Sequence, residues 1–256
     1  MLTADASRTS IHYAVDFPPQ LGPVTGELAN RIMREWGQPT GAAITANNFI
    51  QMRWKETVEA FDVTPTRLAW QATKSADFIG GESHDKHVSL IADAVAMLNL
   101  KTFKRVGLKT VSFLPLKMSH AEMCRLFFGT LLAPMERLEG ALGQPKDPFI
   151  RIEGKYDELD YVLNLSAMSE EQIGVAVRSS ATANAMILEG FPDSAFGEFY
   201  GHVTSEPSLY CDVDVYGSDF ACNSMRQFFR DGIAVANKLA VAATCLLQSK
   251  PVKTGE

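Results

Sequence analysis

The chain lacks paired cysteines. Its four, Cys124, Cys211, Cys222 and Cys245, are scattered along 256 residues with no C-x-x-C spacing. That pattern excludes the usual zinc knuckles and redox motifs and fits reduced thiols in a cytoplasm. An excess of positive charge is also missing. Lys and Arg number 24 against 30 Asp and Glu, a net charge of −6 and a pI near 5.4, so the basic footprint of a nucleic-acid binder is absent. No long apolar run exists. The most apolar stretch, 232–247, is alanine-rich and interrupted by Asn237 and Lys238, too short and polar to span a bilayer. The first residues show no basic region leading into an apolar core, so no secretory signal is expected. There is no G-x-S-x-G elbow, and the glycines at 80–81, 197 and 201 do not have the spacing of a phosphate-binding loop. Together these gaps predict a cytoplasmic protein without a membrane or nucleic-acid partner, and they assign no catalytic residue.

What is present is a core. Hydrophobic residues make up 46% of the chain and charged ones 21%, enough to bury a full interior. The organising stretch is 105–143. Arg105 to Pro115 reads as a mostly buried strand, stopped by a proline that cannot donate to a ladder. Ser119 and Glu122 then form a capping box, and Met123, Leu126, Phe127, Leu131 and Leu132 give the following helix an apolar face.

The remaining elements follow the same cues. Ser10 to Phe17 reads as a strand. A helix capped by Thr25 carries Leu28, Ile32 and Trp36 and stops at Gly37. Ile50, Trp54, Val58 and Phe61 recur at spacings of four, four and three, which predicts a helix, although residues 52–54 also suit a strand. Arg67 to Ala72 alternates as a strand. After Gly80-Gly81, residues 87–92 read as its neighbour. Phe149 to Tyr156 and Leu159 to Leu165 predict a hairpin about Asp157-Glu158, and Gln172 to Arg178 a further strand. Leu209 to Tyr216 is a clear strand. A final helix, Met225 to Gln248, opens with Ser224 and Gln227 as a second capping box.

The fold expected is α+β: a mainly antiparallel sheet with three principal helices in one compact unit, residues 1–256. A β-α-β-β order occurs twice, which allows two related halves, 1–103 and 104–256.

Two segments carry a resemblance. Gly107-Leu108-Lys109, within a strand, and Asp212-Val-Asp214-Val-Tyr216, before a final helix, resemble the G-L-R and D-[IV]-D-x-[YF] segments of a sporadically distributed bacterial family of uncharacterised proteins. Lys109 stands where that family usually has arginine, and the last helix lacks the histidine often found there. The resemblance implies an α+β fold and a bacterial or phage setting, and it transfers no catalytic residue.

Three groups are candidates for function. Asp212 and Asp214, two apart on a strand, share a face, and paired carboxylates can hold Mg²⁺ or Mn²⁺; alternation alone also puts them on a solvated outer face. His84 and His87 have the spacing of a metal pair, but the glycines before them predict a solvated turn. Phe191, Phe196, Phe199 and Tyr200 lie in a glycine-punctuated loop that suits a recognition surface. The function expected is a non-enzymatic binding or assembly protein with a protein partner, and the alternative is a metal-dependent hydrolase or transferase using Asp212 and Asp214. Two adjacent apolar stripes on the last helix, rich in alanine, predict a homo-oligomer through that helix.

Overall fold

The structure, a computed structural model, describes residues 7–19, 25–45, 49–54, 59–72, 82–131, 148–176 and 206–248. The aromatic loop with Phe191, Phe196, Phe199 and Tyr200 lies outside them. The chain runs β1 (Ser7–Asp16), α1 (Thr25–Trp36), β2 (Gly41–Thr45), β3 (Phe49–Trp54), β4 (Glu59–Thr64), β5 (Arg67–Ala72), α2 (Glu82–Met97), β6 (Thr102–Pro115), α3 (His120–Leu131), β7 (Phe149–Tyr156), β8 (Leu159–Met168), β9 (Ser208–Ala221) and α4 (Met225–Gln248). The strands make one nine-stranded sheet in the order β2-β3-β4-β5-β1-β6-β9-β8-β7, and every described pairing is antiparallel. This is an α+β architecture with a mainly antiparallel sheet, as expected.

Strand alternation sorts the sheet into two faces. Ile11, Tyr13 and Val15 of β1, Leu108 of β6, and Cys211, Val213 and Val215 of β9 join Leu28 and Ile32 of α1, Ile91 and Ala94 of α2, Met123 and Phe127 of α3, and Phe228 and Ala236 of α4 in a single core. The four long helices among the described residues therefore share one face. Gly232 of α4 lets that helix sit close to the sheet, since a Cβ there would stand 3.2 Å from Leu108 Cδ2. Among the described residues, the second face is mostly polar and carries one short helical piece, residues 170–176, over the buried Phe113 at one end. Among the described residues, no helix is long and apolar enough to cross a membrane.

In sequence, each half begins with a strand and a helix, continues as an antiparallel meander that returns from the sheet edge to the centre, and ends with a helix. The first strands of the two halves, β1 and β6, pair at the middle of the sheet. Among the described residues, the first half has five strands and the second four.

Three expected elements differ. The helix predicted over Ile50–Phe61 is the strands β3 and β4, in which Ile50, Met52 and Trp54 alternate inward and Phe61 and Val63 follow across the pairing. The turn and strand predicted over 82–92 form the first part of α2. His84, His87, Val88, Ile91, Ala94 and Val95 are its buried stripe, with the three- and four-residue steps of a helix. Residues 170–176 are helical instead of a strand. Ser169 N donates to Gln172 Oε1 (2.8 Å) and Gln172 N to Ser169 Oγ (3.3 Å), a capping box that starts the helix and seats Ile173 on Phe113. The capping box at Ser119 forms as predicted: Ser119 N donates to Glu122 Oε2 (2.9 Å) and Glu122 N to Ser119 Oγ (3.3 Å). At the start of α4, Ser224 Oγ instead donates to Asn223 Oδ1 and Gln227 Nε2 to Asp231.

Of the two apolar stripes of α4, the chain itself covers the stripe Phe229–Ile233–Ala236–Ala240 and the first part of the other, of which Leu239 is half-buried and Ala242 is exposed. Phe228, Val235, Phe229, Ile233, Ala236 and Ala240 are all buried, against the sheet, α2 and α3. The width of the apolar arc therefore reflects packing on several elements at once, and most of the surface on which a dimer through α4 was expected, Ala240 included, is already in use. Leu246, near the helix end, stays 48% exposed.

Candidate functional site: a charge ladder on the polar face

The two segments that carry the family resemblance meet at the centre of the polar face. Strands β6 and β9 pair so that Lys109 stands opposite Asp214, Val111 opposite Asp212 and Gly107 opposite Tyr216. The row continues outward through His12 on β1 and Gln71 on β5. Residues about 100 positions apart in sequence thus become side-by-side neighbours on one surface.

The charges cross diagonally. Lys109 Nζ lies 2.9 Å from Asp212 Oδ2, and Arg105 Nη2 donates to Asp214 Oδ2 at 2.8 Å. Arg105 also lies over the Tyr216 ring, 4.9 Å from its centroid. Gly107 sits between Arg105 and Lys109 on β6; a Cβ there would be 3.8 Å from both Arg105 Cζ and Asp214 Oδ1.

Asp212 is the most enclosed member, at 5% exposure. Its Oδ2 accepts from Tyr210 OH (3.1 Å) and Asn164 Nδ2 (3.5 Å) in addition to Lys109. Burial, the Asp212 charge and the bond donated to it push the Tyr210 phenol well above its ordinary range, so it remains a donor at any ordinary pH. Asp212 Oδ1 and Asn164 Oδ1 are buried and take no donor among the described residues. His12, whose ring contacts Ser10 Oγ at 3.2 Å, is pushed down to about 4 by burial, then by Lys109 and Arg67. It is neutral at pH 7.

Asp212 and Asp214 do share a face, as alternation predicted. Asp212 differs from that expectation in being buried, because Tyr210, Lys109 and Asn164 close around it. Each carboxylate is also engaged by its own cation, so a divalent ion would have to displace Lys109 and Arg105 to be held by both. Among the described residues, no group of three His, Cys, Asp or Glu side chains is arranged to hold a metal.

His84 and His87 are not on a solvated turn. They lie on the inner stripe of α2, buried on the helix-covered face of the sheet. His84 Nδ1 is 2.7 Å from Tyr13 OH, and His87 Nε2 is 3.5 Å from Glu59 Oε1. Trp36, Trp70 and Tyr13 surround His87 with ring centroids at 4.6–5.7 Å. This cluster fastens α2 to β1, β4 and β5 from within the core.

Sequence reasoning singled out two members of the ladder as candidates. His12, Asn164 and Tyr210 went unremarked, and their signal was modest: each occupies an outward position of an alternating strand. Lys109 and Tyr216 drew notice through the resemblance alone. The chain matches no protein-family model and no curated protein.

Proposed function

We propose that this chain is a non-enzymatic binding or assembly protein of the bacterial or phage setting that the resemblance implies, and that the polar face recognises a protein partner. The observation that carries this reading is the ladder itself. Lys109 and Arg105 keep 43% and 38% of their side chains exposed while pairing with Asp212 and Asp214. A fixed alternation of charges, half open to solvent, selects partners by complementarity and repels mismatched ones. The aromatic loop with Phe191, Phe196, Phe199 and Tyr200 belongs to the same proposal as a second recognition element.

The test is recovery of the protein with its partner from its own cells, followed by titration of the purified pair. Lys109→Glu should weaken that affinity at least about tenfold, because it sets like charge against Asp212 and Asp214. Ala234→Glu, on the exposed side of α4, should leave it unchanged. Equal effects of the two substitutions would defeat the reading. Under the alternative, a metal-dependent hydrolase or transferase, Mn²⁺ would bind stoichiometrically and Asp212→Asn with Asp214→Asn would abolish binding. We expect no such stoichiometric binding, since both carboxylates already have cations. Self-association forms part of the same proposal, through a surface other than α4.

A further inference from the structure

The sheet ends differently on its two sides. Edge strand β2 has five residues, whereas edge strand β7 has eight and, among the described residues, no partner beyond β8. A long unpaired edge presents backbone N–H and C=O groups as a template for another strand. β7 also carries Phe149 at 60% exposure and Ile152 at 41%. Proteins usually blunt such an edge with charged side chains, proline or a bulge, and charges of mixed sign can also pair with a second copy. The charges on β7 are of both signs and alternate: Arg151, Glu153 and Lys155, on one face with Phe149.

We infer that β7 pairs antiparallel with β7 of a second copy, with Ile152 on the two-fold axis, joining two sheets into one of eighteen strands. This deepens the self-association part of the reading above and does not use the Lys109–Asp212 ladder. A two-fold axis perpendicular to the sheet keeps all helices on the same side and requires opposite residues to have equal parity. Four central registers are then available, and with Gly154 on the axis Glu153 meets Lys155 of the partner subunit, but only five residues of each strand pair, against seven with Ile152 or Glu153 on the axis. With Arg151 on the axis, Arg151 meets Arg151 of the partner subunit. With Glu153 on the axis, Glu153 meets its own copy and Arg151 meets Lys155 of the partner subunit. With Ile152 on the axis, Arg151 meets Glu153 of the partner subunit, twice by symmetry, and Lys155 meets Phe149 of the partner subunit.

Of the two registers that pair seven residues, the one with Ile152 on the axis places no like charges opposite one another, and like charges directly across a ladder are destabilising. Arg151 and Glu153 already bond within the strand, Nη2 to Oε1 at 2.7 Å, so pairing would extend two ion pairs into a ring of four alternating charges. On the other face, Ile152 meets its own copy and Ile150 meets Gly154 of the partner subunit. Gly154 is covered by the Tyr161 ring, whose Oη lies 2.6 Å from where a Cβ would stand. Ile150 would therefore lie against that aromatic ring.

Light scattering on the full chain at tens of micromolar should give the dimer mass. Arg151→Glu and Glu153→Arg, each alone, should raise the dimer dissociation constant at least roughly tenfold. Combining the two exchanges the charges and should restore the dimer, since Glu then meets Arg across the axis. In a Cys245→Ser background, Ile152→Cys should oxidise to a disulfide-linked dimer, because directly opposite Cα atoms stand about 4.5–5.5 Å apart. Ile150→Cys should not. A monomer at these concentrations overturns the inference, as does a dimer that both single variants leave intact or that the double variant fails to restore. Equal cross-linking from positions 150 and 152 also overturns it. Ladder variants such as Lys109→Glu should leave the mass unchanged, so failure of this pairing and failure of the partner-recognition reading would be seen separately.

Discussion

Asp212 and Asp214 are the same residue type, two positions apart on one strand, yet their surroundings differ. Asp212 is enclosed and takes bonds from three side chains, whereas Asp214 is more open and meets Arg105. Asp212→Ala would leave Tyr210 and Asn164 without their acceptor and should lower stability by about 2 kcal/mol, moderated because Lys109 can turn to solvent. Asp214→Asn should lower it by less than about 1 kcal/mol. Urea denaturation distinguishes the two; equal losses would mean that Asp212 is not the enclosed partner. His12 gives a second test at this scale. Its folded pKa, about 4, lies below the ordinary 6.5. The unfolded chain therefore binds a proton more readily, and stability that is full above pH 6.5 declines as pH falls toward 4. His12→Gln should flatten that decline, measured as melting temperature against pH between 7 and 4. An unchanged slope would show that other groups set it.

Among the elements, those legible in the sequence were strands with clean alternation and helices with ordinary apolar stripes. β6, the β7–β8 hairpin, β9 and α4 fall in this group. α2 was missed because two of its inward positions are histidines, and His84 and His87 read as polar until Tyr13 and Glu59 are brought to them across the fold. The Ile50–Phe61 segment misled for the opposite reason. Its spacing of four, four and three suits a helix, but Ile50, Met52 and Trp54 also alternate, and pairing with β4 decided for the strand. The helix at 170–176 was announced by Ser169 and Gln172, a cue overshadowed by the apolar Ile173, Val175 and Val177 that read as a strand. For α4 the helix was correct but its exposed side was not. Ala240 is buried, so Ala240→Glu should unfold the monomer or cost more than about 3 kcal/mol. Leu246→Glu should change stability by less than about 0.5 kcal/mol. Thermal melts of the two variants check this, and a well-folded Ala240→Glu protein would contradict the packing described.

At the scale of the whole molecule, one sheet holds everything together, with helices covering one face and a charge ladder on the other. Central strands flanked on both sides, β1, β6 and β9, should show the slowest amide exchange. The edge β7 should exchange fast in dilute solution and become protected as concentration rises, whereas concentration-independent exchange there would leave it a plain edge. The site is what the sequence revealed least. A strand pattern shows which residues share a face, but the neighbours His12, Lys109, Asp214 and Asn164 follow from sheet order, which depends on contacts far apart in the chain. The central claim is that this ladder recognises a partner. Its most direct measurement is photo-crosslinking in the protein's own cells, with a photoreactive residue at Tyr216 on the ladder or at Ala234 on the outer side of α4. The account predicts a discrete adduct from position 216 that Lys109→Glu suppresses, and none from 234. Adducts of equal yield from both positions, or one from 216 that Lys109→Glu leaves unchanged, would contradict it.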